Sequence, residues 1–186
     1  MKKLIRFDEV SNPHQVAEDL QRLLSDRSND DIGREFPNLA KRYSSGTIQQ
    51  IAARILIDKT LQEDGRREWY LAYKDSTVVG FGAINLTPSP IAGGLDVDSP
   101  NLAGFIGKPY RGEGIGRFSL EERLRIVRSR FGGVAWTLVG LNNETSNQMI
   151  LSTPGFVLCD RTTYKDEPYN LYEYSARQEN RGGDVL

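Results

Sequence analysis

The sequence predicts an α+β fold in which helices flank a mixed sheet. Three observations carry the prediction. Two segments with helical periodicity precede a run of aromatic-rich segments with period two. The second half then passes strand, helix, strand, helix and two strands, an order that is mixed rather than regularly alternating. Finally, a glycine-rich turn joins a strand pattern directly to an amphipathic helix pattern. The length of 186 residues is a little above the roughly 150 residues of one domain, so residues 1–177 are expected to form a single domain and residues 178–186, polar and glycine-containing, a loose tail.

Leu4, Ile5, Phe7 and Val10 suggest an opening strand. Ser11-Asn12-Pro13 follows, a capping side chain ahead of a proline suited to the first helical turn. Val16, Leu20, Leu23 and Leu24 then recur at helical spacing, and the polar stretch from Ser25 to Arg34 reads as a loop. Thr47 and Gln50 stand three apart as in a capping box, before Ile48, Ile51, Ile55 and Leu56 on one face of a helix that ends near Gly65.

From Trp69 to Leu86 the period changes to two: Trp69 to Tyr73, a Lys74-Asp75-Ser76 turn, and Thr77 to Ile84 form a hairpin. Gly80 and Gly82 in its second strand signal a bulge or the close approach of another group. Thr87 to Pro100, rich in proline and glycine, is a loop that could flank a cleft. Asn101 to Ile106 is a strand, Gly107 to Gly116 a turn, and Arg117 to Phe131 a helix with Leu120, Leu124, Val127 and Phe131 on one face, ended by Gly132 and Gly133. Val134 to Leu141 is a strand, Asn142 to Ser152 a short helix, Phe156 to Tyr164 a strand, and Tyr169 to Ser175 a last strand after a turn at Pro168.

Composition excludes several chemistries. Lys and Arg total 24 against 25 Asp and Glu, a formal charge of -1, so no global positive field gathers nucleic acid or an acidic membrane. The lone Cys159 forbids an intramolecular disulfide and a multi-cysteine zinc site. His14, the single histidine, stands at a helix start and is a poor general base, so neither a metal centre nor a Ser-His-Asp triad is expected. Charged Arg6, Asp8 and Glu9 interrupt any apolar leader, and no apolar run of about 18 residues occurs. These features describe a cytoplasmic protein in a reducing compartment. Cys159, after the apolar Phe156-Val157-Leu158, is expected to be packed in its strand, and Trp69, Tyr70, Tyr73, Phe81 and Trp136 to be core and sheet-face residues.

The turn Arg111-Gly112-Glu113-Gly114-Ile115-Gly116 is the most informative segment. The first N–H groups of a helix lack internal partners and carry partial positive charge, so a backbone stripped of side chains there can wrap an anionic phosphate. Its three glycines do not satisfy G-x-G-x-x-G, because position 117 is Arg, and no P-loop string occurs. A nucleotide-binding protein of either kind is therefore disfavoured.

The string fits instead the (Arg or Gln)-x-x-Gly-x-(Gly or Ala) signature, and here the chain resembles the GNAT superfamily of acyl-CoA-dependent N-acetyltransferases. The likeness in element order extends over about residues 4 to 175. Val134 to Leu141, Asn142-Asn143, Glu144 to Ser152 and Gly155-Phe156 are similar to a second block of that family, with Asn143 in the place of its asparagine and one extra residue, Pro154, before Gly155. The resemblance implies a mixed, mostly antiparallel central sheet of about seven strands flanked by about four helices. It also implies acetyl-CoA as acyl donor without a metal, a small-molecule or protein amine as acceptor, and a homodimer.

By the same resemblance, the amine attacks the thioester directly. The backbone of Arg111, Gly112, Glu113, Gly114, Ile115 and Gly116 would bind the pyrophosphate. Arg111 and Arg117, which also read as a solvent-facing pair, would flank the turn and meet phosphate oxygens, and Lys108 would reach the ribose phosphate. Backbone near Phe105 and Ile106 would hold the pantetheine arm beside a strand splayed from its neighbour, and Asn143 would add a cosubstrate contact. Where the family often carries a general-acid tyrosine, this sequence has Ile150 or Leu151. Ser152 and Tyr164 are the substitute acids, and Asp96 and Asp98, which read equally as solvated loop acids, the bases. A catalytically inactive CoA-binding or regulatory module is the alternative that the missing tyrosine leaves open.

Overall fold

The computed structural model describes residues 1–26, 37–61, 67–86, 99–164 and 166–179. Seven strands form one sheet: β1 (Lys2–Arg6), β2 (Arg67–Lys74), β3 (Thr77–Asn85), β4 (Asn101–Ile106), β5 (Val134–Gly140), β6 (Phe156–Tyr164) and β7 (Glu167–Ser175). Their order is β1-β2-β3-β4-β5-β7-β6. β1 pairs antiparallel with β2, β5 with β7 and β6 with β7, whereas β4 and β5 run parallel where Asn101 faces Trp136. The expected mixed, mostly antiparallel sheet is thus present. The helices are α1 (Pro13–Ser25), α2 (Pro37–Ser44), α3 (Ile48–Leu61), α4 (Ile115–Arg130), α5 (Glu144–Leu151) and the single turn α6 (Ala176–Glu179).

Contacts group the chain into two compact units, residues 1–83 with 104–120, and residues 84–103 with 121–186. In the first, the cap of α1 is formed as its sequence dictates: the Gln15 amide donates to Asn12 Oδ1 at 3.2 Å and Pro13 takes the first helical position. The capping box of α3 is reciprocal, Thr47 N–H to Gln50 Oε1 at 2.9 Å and Gln50 N–H to Thr47 Oγ1 at 3.3 Å. Val16, Leu20 and Leu23 of α1 pack with Ile51 and Ile55 of α3 and with Leu71, Phe81 and Phe105 of the sheet in one apolar cluster.

Four expectations here are corrected. The opening strand stops at Arg6, and Phe7–Glu9 is a 3-10 turn. Residues three apart share one side of such a turn, and this carries both Phe7 and Val10 into the cluster. A helix that the sequence reading did not foresee, α2, precedes the capping box. Leu56 lies 52% exposed, so the buried face of α3 is Ile51, Ala52 and Ile55. Helix α4 begins at Ile115 rather than Arg117 because the Ile115 side chain is fully buried against Ala72 and Val79. The polar loop read from Ser25 to Arg34 lies mostly outside the described residues, as do Gly65 and the tail beyond residue 179.

In the second unit, β7 lies between β5 and β6, with Tyr172 and Tyr174 fully buried. Pro168 is not in a turn: it pairs with Thr163 inside the ladder and its carbonyl accepts from the Leu141 amide at 3.0 Å. A proline is tolerated there because it stands second from the strand's start. Cys159 is exposed, as are Val157 and Leu158, because β6 is the edge strand and its register shifts between Leu158 and Asp160. The expected packed strand residue is therefore an edge residue. Trp136 is buried, its indole N–H donating to the Ser99 carbonyl at 3.2 Å.

Candidate functional site: a glycine turn opening a helix

The chain leaves β4 still tied to β3, since the Gly107 amide donates to the Val79 carbonyl at 2.9 Å. A 3-10 turn, Lys108–Tyr110, reverses it, and Gly112 and Gly114 follow at φ 80° and 72°. Both torsions lie in the left-handed region that residues with a Cβ avoid. The first bond of α4 that closes on the turn is Phe118 N–H to the Gly114 carbonyl at 3.1 Å. Among the described residues, the amides of Gly112, Glu113, Gly114, Ile115 and Gly116 have no acceptor. The result is a strip of donors at the positive end of a 16-residue helix, with open space where a Gly112 side chain would stand.

The acidic residue in this strip is neutralised. Lys74 Nζ reaches the Glu113 carboxylate at 2.8 Å, and Lys2 Nζ donates to the Glu113 carbonyl at 2.5 Å. The two lysines are register partners on β1 and β2, so one strand pair holds the middle of the turn from both its side chain and its backbone. The hydrogen bond to Glu113, ahead of the opposing effect of desolvation, pushes the Lys74 ammonium above its ordinary value. Neither lysine was singled out from sequence, and the separation of 111 positions between Lys2 and Glu113 explains why.

Arg111 folds back over the end of β4. Its Nε donates to the Ile106 carbonyl at 2.9 Å and its guanidinium lies 5.3 Å from the Phe105 ring centroid. That ring is stacked on Phe81 at 5.6 Å. The Phe105 carbonyl is directed at Gly80, where any Cβ would collide with it, which is the close approach signalled by the strand glycine. Backbone groups alternate sides along a strand, so Ile106 and Gly104 face away from β3. Ile106 therefore offers the outward N–H, while Phe105 contributes its ring. Lys108 and Arg117 are exposed on either side of the turn.

The remaining candidates lie in the second unit or beyond the described residues. Asn143 is the N-cap of α5, its Oδ1 accepting from the Ser146 amide at 3.2 Å. Ser152 is exposed at the other end of that helix, its hydroxyl donating to the Met149 carbonyl at 3.0 Å. Of Ile150 and Leu151, the two positions where the resembling family often carries a tyrosine, Ile150 is buried and Leu151 is exposed. Tyr164 ends β6 opposite Glu167, and Asp96 and Asp98 lie outside the described residues. Among the described residues no cluster of three or more His, Cys, Asp or Glu could hold a metal, and no helix is long and apolar enough to cross a membrane.

The sequence of residues 33–156 matches the family model described as the acetyltransferase (GNAT) family. No curated protein matches the chain. Among solved structures, the chain is similar to the ribosomal L7/L12 alpha-N-protein acetyltransferase RimL in complex with coenzyme A, with 15% identity, TM-score 0.65, and 94% of this chain and 93% of that one covered. It is similar to the ribosomal-protein-S5-alanine acetyltransferase from Vibrio fischeri, with 13% identity, TM-score 0.65 and coverage of 95% and 93%. It is also similar to the microcin C7 self-immunity acetyltransferase MccE in complex with acetyl-CoA and AMP, with 12% identity, TM-score 0.62 and coverage of 87% and 88%. At these identities the structural likeness speaks to the fold, and the family match to residues 33–156 speaks to the lineage.

Proposed function

We propose, from the premise that this chain belongs to the acetyltransferase (GNAT) family and is thereby an acetyl-CoA-dependent N-acetyltransferase, that the turn from Arg111 to Arg117 is its cradle for the pyrophosphate of the cosubstrate. The observation that carries this reading is the run of five amides from Gly112 to Gly116, at the N-terminus of α4, that have no acceptor among the described residues. An anion there gains fixed donors and the helix dipole together. The Lys74 ion pair with Glu113 removes the one charge that would oppose it, and the glycines admit phosphate oxygens to the backbone.

Acetyl-CoA supplies an activated acyl group. The amine nitrogen bonds to the acetyl carbon, the C–S bond breaks, the amine gives up a proton, and the departing sulfur takes one. The outward Ile106 N–H is the donor proposed for the oxygen on which charge develops, a role worth a factor of about 100 to 1,000 in related acyl transfers. Holding both reactants in line provides a further large share of the rate, so the chain needs few catalytic side chains. Asp96 or Asp98 is proposed to accept the amine proton directly or through water, and Ser152 or Tyr164 to supply the proton to sulfur.

The acceptor is proposed to be a primary amine of a small molecule or a protein, since a formal charge of -1 provides no field for a nucleic acid. Residues 1–177 are proposed to act as one domain, with 178–186 as a tail, in the cytoplasm and as a homodimer. Two measurements test the activity. Acetyl-CoA at about 100 times its Kd should stabilise the protein by about 2.7 kcal/mol, raising Tm. A panel of amines should then include one that releases free thiol from acetyl-CoA. Absence of any Tm shift at millimolar acetyl-CoA would reject the binding site, and a shift without thiol release from any amine would favour the inactive CoA-binding module.

A further inference from the structure

We infer that Asn147 is a positioning residue for acetyl-CoA, locking the corner between β5 and α5 that carries Asn143, the residue to which the family resemblance gives a cosubstrate contact; this rests on that contact and on the cosubstrate reading above. Asn147 spends both ends of its amide. Its Nδ2 donates to the Gly140 carbonyl and to the Asn143 carbonyl, each at 2.9 Å. Its Oδ1 accepts from the Tyr172 hydroxyl at 2.7 Å and from Asn170 Nδ2 at 2.9 Å. Asn170 also donates to the Tyr172 hydroxyl at 3.2 Å. Tyr172 is 1% and Asn170 8% exposed, so the network lies in the sheet-facing interior.

Geometry makes this network more than a filler. Gly140 is the last residue of β5 and its carbonyl receives both the Asn143 amide, at 2.9 Å, and the Asn147 side chain. The backbone of the corner is therefore fastened from inside the helix that follows it. β7 holds the same corner a second time, through the Gly140–Tyr169 register pair and the Leu141 amide bonded to the Pro168 carbonyl. Asn147 joins the two, so the direction in which Asn143 faces is set by a strand 25 residues further along the chain than Asn147.

The network carries a cost that packing alone would not keep. Asn170 Oδ1 is buried and accepts no hydrogen bond among the described residues, and an orphaned buried acceptor is destabilising. An apolar trio would avoid that penalty. What the trio supplies in return is direction: its hydrogen bonds fix the corner in one orientation, which non-directional apolar contacts would not do.

The test is calorimetric titration of the full chain with CoA, alongside Tm, for the wild type and four variants: Asn147→Ala, Asn147→Asp, Tyr172→Phe and Leu171→Ala. Leu171 is a neighbour of Tyr172 on β7 and is buried, so its truncation lowers stability without touching the network. Asn147→Ala should weaken CoA about tenfold, Tyr172→Phe about threefold, and Asn147→Asp, which keeps the acceptor for Tyr172 but turns a carboxylate oxygen toward the Gly140 and Asn143 carbonyls, at least as much as Asn147→Ala. Leu171→Ala should lower Tm while Kd stays within twofold of wild type. CoA binding by Asn147→Ala or by Tyr172→Phe within twofold of wild type overturns the inference, as does equal weakening by Leu171→Ala. If Asn147→Ala does not fold, Tyr172→Phe decides, since it removes one hydroxyl and keeps the ring. A wild-type chain that binds no CoA overturns the cosubstrate reading and this inference with it, whereas a wild type that binds and an Asn147→Ala that binds equally overturn only the inference.

Discussion

The Lys74 ammonium lies 2.8 Å from the Glu113 carboxylate, which places a cation from the β2–β3 hairpin against the only acidic side chain in the turn, whose amides from Gly112 to Gly116 have no acceptor among the described residues. The pair matters less for stability than for the field at the turn, because both groups are solvent-exposed and such pairs contribute little to folding. Lys74→Ala should therefore leave Tm nearly unchanged. It should weaken CoA by about two- to fivefold, since Glu113 would then face phosphate uncompensated. Glu113→Gln in the Lys74→Ala background should restore most of the affinity. Calorimetric titration at low and physiological salt checks both, and an unrestored double variant would show that Lys74 acts in some other way.

The pH profile of stability should carry one signature at the alkaline end. Burial, with a smaller contribution from the Asp19 charge, pushes the Tyr73 phenol up to about 12. A phenol whose folded value exceeds its unfolded value contributes stability that is fully present below the unfolded value near 10. That contribution is lost as pH rises through 12, because the unfolded chain binds fewer protons in this window. Stability should thus be insensitive to Tyr73 from pH 6 to 9 and fall between pH 10 and 12. Absorbance of tyrosinate should show a late-titrating phenol that disappears in Tyr73→Phe.

Asp19 connects that tyrosine to the strand edge. Its Oδ2 accepts from the buried Val78 amide at 2.9 Å, and its Oδ1 pairs with Arg22 at 2.8 Å. Truncation leaves the Val78 N–H unsatisfied, which costs about 1–3 kcal/mol. For a chain of this size that is a Tm loss of about 2–4 °C per kcal/mol. Asp19→Ala should show it, while Asp19→Asn, which keeps an acceptor, should lose less. Asp19→Asn should also let Tyr73 ionise at a lower pH, because the charge opposing the phenolate is gone. An unaltered tyrosine titration would dissociate the two groups.

What the sequence discloses follows the range of the interaction. The Asn12 cap, the Thr47–Gln50 box, strand Asn101–Ile106 and the helix end at Gly133, whose amide returns to the Val127 carbonyl at 3.2 Å, are local chemistry, written within a few residues. Edge status is not local. Val157, Leu158 and Cys159 look like core residues until β7 is seen to lie between β5 and β6, which turns them outward. The glycine turn could be recognised because its donors come from backbone geometry. Its clamp could not, because Lys2 and Lys74 reach Glu113 across register pairs that only the folded sheet creates. The Asn147–Asn170–Tyr172 network has the same character: amides and a hydroxyl are common on helices and strands, and only their meeting is informative.

The Cys159 thiol should be a slow nucleophile despite its place on the sheet edge. Partial burial, opposed by a backbone hydrogen bond at Glu173 and assisted by the Glu173 and Asp160 charges, pushes it above its ordinary value. Since the thiolate is the reactive species, alkylation at pH 7.5 should be slower than that of a small free thiol. The reaction should accelerate in Glu173→Gln, where one opposing charge is removed. Equal rates for protein and free thiol would contradict the assignment.

The two turn glycines should respond differently to the same substitution. Gly112 has open space around its missing side chain, so Gly112→Ala pays mainly for a left-handed torsion of 80°, about 1–2 kcal/mol, and lowers Tm by a few degrees. A Cβ at Gly114 meets Lys2 Nζ at 3.1 Å, the far end of a flexible chain that also donates to the Glu113 carbonyl. Substitution there displaces the clamp as well as straining the backbone. Gly114→Trp in addition places a bulky ring beside the unpartnered amides, so CoA binding should be abolished while circular dichroism still reports a folded sheet. Lys2→Ala gives the intermediate case, with the clamp lost, the donor strip open, and CoA weakened severalfold rather than excluded. If Gly114→Trp bound CoA as the wild type does, the pyrophosphate could not lie against this turn.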